Sequence, residues 1–134
     1  MLVRVIAAAA VLVSAAVHLR LWFDGFSDDH VVGPAFMLNA IGGVVIAALL
    51  LVWRHWVPLF LAFGFGFTTL GAFVIASTVG LFGAHESWTG AYVWAAAIAE
   101  AVAIVASGLG LMRDPLFSRS ELQHRMAVRR PNLH

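Results

Sequence analysis

Six side chains in this sequence pair a type able to do chemistry with a place where such a type is costly. Glu100 lies near the middle of Tyr92 to Met112, a run of small and apolar residues long enough to cross a bilayer as a helix. A charged side chain at that depth costs roughly 2.5–3.5 kcal/mol on insertion scales, so a partner, a proton or a water-filled cavity must compensate it. His18 lies near the end of the first apolar run, with Ser14 one helical turn behind it on the same face. Asn39 falls at a similar distance into the second run, and Thr69 lies in the third. At a rise of about 1.5 Å per residue these depths match. One polar pocket opening to the outer side would then collect Ser14, His18, Asn39, Thr69 and Glu100, with Arg20 above them and able to snorkel outward. Ionisable groups inside a span are expensive enough to suggest function by default. The plainer readings are hydrogen bonds across or along helices for Ser14, Asn39 and Thr69, and a packing lock for a His18–Glu100 pair.

A second constellation lies outside the apolar runs. Asp24, Asp28, Asp29 and His30 share one polar stretch, and His85 and Glu86 share another. Carboxylates and imidazoles are ligands for a divalent cation, and Asp28, Asp29, His30, His85 and Glu86 are the candidates. Their spacing matches no strong metal motif, and Asp-Gly, Ser-Asp and Gly-Pro are ordinary turn chemistry. A solvated acidic loop is the favoured reading. No second histidine inside a span faces His18, which disfavours haem. The chain has no cysteine, so disulfides, thiolate metal sites and iron–sulfur clusters are excluded.

The elements that must position these residues follow from composition. Of 134 residues, 62% are hydrophobic and 11% charged, and mean hydropathy is +0.93. Soluble domains carry about 25% charged residues, so this is a membrane protein. Four spans are expected, at about 2–23, 34–53, 59–82 and 91–112. The first resembles a signal peptide in its Arg4 and in Ser14-Ala15-Ala16, but apolar residues continue through Leu21, Trp22 and Phe23. A retained helix is expected. Pro34 and Pro58 are read as opening the second and third helices, where a missing N–H costs nothing. Asp114-Pro115 ends the fourth. Residues 113–134 form a basic tail in which Ser118 and Glu121 suggest a capping box, and a short amphipathic helix on the membrane surface is expected.

Seven of the eight arginines fall at one end of these spans and only Arg20 near the other; there is no lysine. The positive-inside rule then puts both termini in the cytoplasm. Small residues repeat at spacing four: Ala35, Asn39, Gly43 and Ala47; Ala72, Ala76 and Gly80; Ala95, Ala99, Ala103 and Ser107. In lipid such stripes let helices approach closely. The expected fold is all-α, a transmembrane four-helix bundle running up-down-up-down, with the large residues facing lipid or a second copy.

His18-Leu19-x-Leu21-Trp22, Gly25-Phe26 and Gly33-x-x-Phe36-x-Leu38-Asn39, followed by Gly80-Leu81-Phe82-Gly83, Glu86 and the acid Glu100, give the chain a resemblance. It resembles a family of small four-span actinobacterial membrane proteins, and its architecture looks like that of DoxX-type proteins. The resemblance implies a plasma-membrane bundle and no reaction. Where relatives tend to carry Tyr-Arg after the loop glycine, this chain has Phe26-Ser27.

No catalytic motif is present, so the first expectation is an accessory or oligomeric membrane component without catalysis. It would work as a homo-oligomer or as a subunit of a larger complex, with the lipid bilayer and no nucleic acid as its surroundings. An alternative is a binder or carrier of a hydrophobic molecule, such as a quinone, polyprenyl lipid or sterol, whose polar head meets His18 and Glu100. A pocket of a few hundred Å3 between the helices would favour that alternative, and solid packing the first. A small proton-coupled exporter and an outer-face metal binder complete the set. The exporter reading is disfavoured because the acid lies in the last span and the charge bias is strong.

Overall fold

A computed structural model of the protein describes residues 1–80 and 89–114. Its regular structure is helical: α1 (Leu2–Phe23), α2 (Val32–Val52), α3 (Trp56–Thr78) and α4 (Ala91–Met112), with one 3-10 turn over Phe26–Asp28. All four helices are long and apolar enough to cross a membrane, which makes this a multi-pass membrane protein. The expected tail helix, His85 and Glu86 lie outside the described residues.

The helix boundaries are set by caps. Both α2 and α3 begin two residues before the proline expected to open them. At α2, Asp29 Oδ1 accepts from the backbone N–H groups of Val31 (2.9 Å) and Val32 (2.7 Å). At α3, His55 Nδ1 accepts from the N–H of Val57 at 3.3 Å. Pro34 and Pro58 therefore sit third in their helices, still within the first turn where no intrahelical N–H bond is lost. The third helix closes at Thr78 rather than at 82. Gly80 takes a left-handed φ of 82° and donates its N–H to the carbonyl of Ile75, a conformation that terminates helices and suits glycine. After α1 the closing N–H is that of Asp24, which donates to the carbonyls of Arg20 and Leu21, and the following Gly25 has a positive φ of 124°.

Helix α1 packs against both α2 and α4, and α3 packs mainly against α4; the seam between α2 and α3 is thin. Small residues create the close contacts. A Cβ added at Gly43 would lie 2.7 Å from Ala15 Cβ, and one at Gly66 would lie 2.9 Å from the carbonyl oxygen of Glu100. The buried core gathers at one end of the bundle. It comprises Ala7, Ala8, Ala10 and Val11 of α1, Ala47 and Leu50 of α2, Leu59 and Ala62 of α3, and Ala103 and Ala106 of α4. At that end Arg4 donates from Nη1 to the carbonyl of Trp53 (3.1 Å) and from Nη2 to that of His55 (2.6 Å), tying the start of α1 to the α2–α3 connection.

The outside of the bundle is apolar. Leu38, Ile41, Val44, Phe60, Phe67, Ile98 and Val105 are exposed, an arrangement suited to lipid rather than water.

Candidate functional site

At the end of the bundle away from the core, the helices part. They enclose a cavity of about 310 Å3 to which all four contribute, within the range of roughly 300–1,000 Å3 seen for small-molecule sites. Most of its wall is apolar: Leu21, Val32, Ala35, Phe36, Ala72, Phe73, Ala76, Val93, Ala96 and Ala97. The polar residues of the wall are His18, Asn39, Thr68, Thr69 and Glu100.

Glu100 is 2% exposed although it carries a carboxyl group. The fully buried Ser14 donates from Oγ to Glu100 Oε1 at 3.1 Å. His18 Nε2 stands 4.0 Å from the same oxygen, longer than a hydrogen bond. The orientation of the imidazole is fixed from behind and from the side. Its Nδ1 lies 2.8 Å from the backbone carbonyl of Ser14. A carbonyl only accepts, so Nδ1 carries the hydrogen and Nε2 is the nitrogen that faces Glu100. Phe36 meets the ring nearly perpendicularly, with centroids 5.1 Å apart. Phe26, from the 3-10 turn, packs in turn on Phe36 at 5.4 Å.

Across the cavity, Asn39 Nδ2 donates to Thr69 Oγ1 at 2.9 Å, and Thr69 Oγ1 donates to the carbonyl of Phe65 at 2.7 Å. This chain bridges the thin α2–α3 seam. It also fixes the amide, because the threonine has given away its hydrogen and can only accept. Asn39 Oδ1 is consequently left buried without a hydrogen-bond partner.

The five residues expected to share a pocket are therefore together, four in its wall and Ser14 behind Glu100. Ser14, His18 and Glu100 form a contiguous cluster, and Asn39 and Thr69 form the facing bridge. Arg20 is elsewhere: it is exposed and pairs with Asp24, Nε to Oδ2 at 3.0 Å. The i,i+4 spacing of those two residues was the signal for that pairing. The apolar wall residues carry no chemistry that singles them out in the sequence. Ala96 and Ala97 stand one turn before Glu100 and Leu21 three residues after His18, so helical periodicity from the two ionisable residues would have found them. Phe36 and Phe73 face inward, against the expectation that the large residues point out.

The acidic loop is put to local use. Asp24 holds Arg20, and Asp29 caps α2, whose two N–H bonds keep the Asp29 carboxyl below its ordinary range. Among the described residues, no three histidine, aspartate or glutamate side chains gather as a metal site. His85 and Glu86 lie outside them.

The chain matches no family model, no curated protein and no solved structure. Geometry and chemistry must carry the functional reading.

Proposed function

We propose that this is a four-span plasma-membrane protein that binds or carries a hydrophobic small molecule, whose apolar body fills the cavity and whose polar head meets Glu100 and His18. The observation that carries the reading is the cavity itself, with a buried carboxyl group in an otherwise mostly apolar wall. A bundle packed solid throughout would instead favour a purely accessory role. The core is solid only at the opposite end. Membership of the small four-span actinobacterial family, with its DoxX-like architecture, is part of the same proposal.

The orientation belongs here as well. Arg4 meets the end of α2, Ser14 of α1 meets Glu100 of α4, and Gly110 of α4 approaches Leu59 of α3. These pairings support an up-down-up-down course. The arginine bias supports cytoplasmic termini and an outer-half cavity.

The test is extraction of bound lipid from protein purified in mild detergent, with mass spectrometry comparing wild type and Ala96→Phe. The expected outcome is one amphiphile enriched with wild type and lost from the variant, whose ring occupies the cavity. Identical lipid profiles from two folded proteins would overturn the proposal.

A further inference from the structure

The hydroxyl and imidazole donors around the cavity are already committed within the protein. Ser14 gives its hydroxyl hydrogen to Glu100, Thr69 to the carbonyl of Phe65, and Thr68 to the carbonyl of Gly64 at 2.8 Å. His18 gives its Nδ1 hydrogen to the carbonyl of Ser14, and the Asn39 amide nitrogen points at Thr69. Among the described residues, what remains is acceptor capacity, apart from the second N–H of Asn39. The Glu100 carboxylate has a single hydrogen bond among the described residues, His18 Nε2 stands 4.0 Å from it, and Asn39 Oδ1 has no partner. A carboxylate accepts up to about four hydrogen bonds, and a hydroxyl or amine from outside is what this wall lacks. Among the described residues, neither Arg20 nor Arg4 supplies a counter-charge: Arg20 is turned to Asp24 and Arg4 to backbone carbonyls at the far end of the bundle.

We infer that the ligand's head is a hydrogen-bond donor, a hydroxyl or an ammonium group, and that amphiphiles whose heads only accept, such as ketones, ethers and esters, are rejected. This rests on the ligand-binding reading above and gives it a chemical class. A donor head seated beside Glu100 and His18 Nε2 completes both. An acceptor head would put a lone pair against a carboxylate and leave buried polar groups unpaired, the arrangement by which sites discriminate most strongly.

Three probes with one tail separate the possibilities: radiolabelled farnesol, farnesylamine and farnesyl methyl ether, bound at equilibrium to the protein in nanodiscs, with empty discs subtracted. The expected result is that the alcohol or the amine binds at least about tenfold more tightly than the ether, the size of one charge-assisted hydrogen bond. An advantage of the amine that falls with salt identifies an ammonium head, and an advantage of the alcohol independent of salt identifies a hydroxyl head; both support the inference. Glu100→Gln replaces half of the acceptor group with a donor at constant shape, so the discrimination should shrink toward unity in that variant. Thr69→Val frees the Asn39 amide to turn, and should relax the preference partially while the alcohol still binds.

An ether that binds wild type as tightly as both the alcohol and the amine would overturn the donor-head inference and leave ligand binding standing. Discrimination that persists unchanged in Glu100→Gln would also overturn it. Binding of none of the three above empty discs would instead overturn the ligand-binding reading on which it rests.

Discussion

At the scale of single residues, the bundle uses short local bonds to aim groups that act at a distance. Ser14 contributes two atoms. Its backbone carbonyl sets the His18 ring and its hydroxyl holds Glu100. The hydroxyl bond is a cross-helix contact in an apolar surrounding, and such contacts average only about 0.6 kcal/mol and reach about 1.7 in membrane proteins. A double-mutant cycle of Ser14→Ala and Glu100→Gln, read by unfolding in bicelles, should return a coupling in that range. A coupling of zero would mean that Ser14 and Glu100 are merely neighbours. Asp29 gives a second residue-scale prediction. The backbone N–H groups of Val32 and Val31 favour its ionised form, so its folded value lies below the ordinary 3.8. Stability from this cap is therefore fully present above the unfolded value and is lost as pH falls through the folded one. Amide exchange at Val31 and Val32 should accelerate, relative to other amides, below about pH 3.8. Asp29→Ala should show the faster exchange at neutral pH and no such step.

At the scale of elements, close approach is decided glycine by glycine rather than stripe by stripe. Gly66 and Gly64 lie two residues apart on α3 and differ completely. A Cβ at Gly66 meets the Glu100 carbonyl oxygen and Ile104 Cγ1, both at 2.9 Å, whereas one at Gly64 meets nothing within 4 Å. Gly66→Ala must separate α3 from α4 and should cost about 1–3 kcal/mol. Gly64→Ala should be neutral or stabilising by up to about 1 kcal/mol, since it only restricts the unfolded chain. Thermal unfolding of the two variants side by side checks the contrast. The same logic explains the helix starts. Both prolines marked the right neighbourhood, but Asp29 and His55 fixed the first turn, because an orphan N–H is satisfied by a cap and not by a proline.

At the scale of the whole molecule, the two ends of the bundle are built differently. The end clamped by Arg4 is filled by alanines, Val11 and two leucines; the other is lined by larger residues such as Phe36 and Phe73, and bridged by Asn39 and Thr69. A carrier with access from one side of the membrane would be made this way. With Arg4, Arg54 and Arg113 at the clamped end, the proposed orientation predicts that fusions of a cytoplasmic fluorescent reporter to either terminus should be bright, and alkaline phosphatase at the same points inactive. A phosphatase active at either terminus would reverse the orientation.

Four apolar runs, the arginine bias and an acid near mid-span were legible in the sequence, because span length, charge placement and depth are properties of the chain read one residue at a time. Depth placed Ser14, His18, Asn39, Thr69 and Glu100 at similar levels, and the helices bring them near one another. Choice of partner was less legible. Arg20 snorkels outward as expected, but its partner there is settled by the end of α1, where an exposed carboxylate one turn along, Asp24, is a cheaper partner than a buried one. Nor could spacing show which part of a small-residue stripe would close: Ala47 and Ala103 are buried in the core, whereas Ala35 and Ala72, in comparable stripes, line a cavity. Whether alanines meet or stand apart depends on what the facing helix presents at that height, and that pairing exists only once all four helices are assembled.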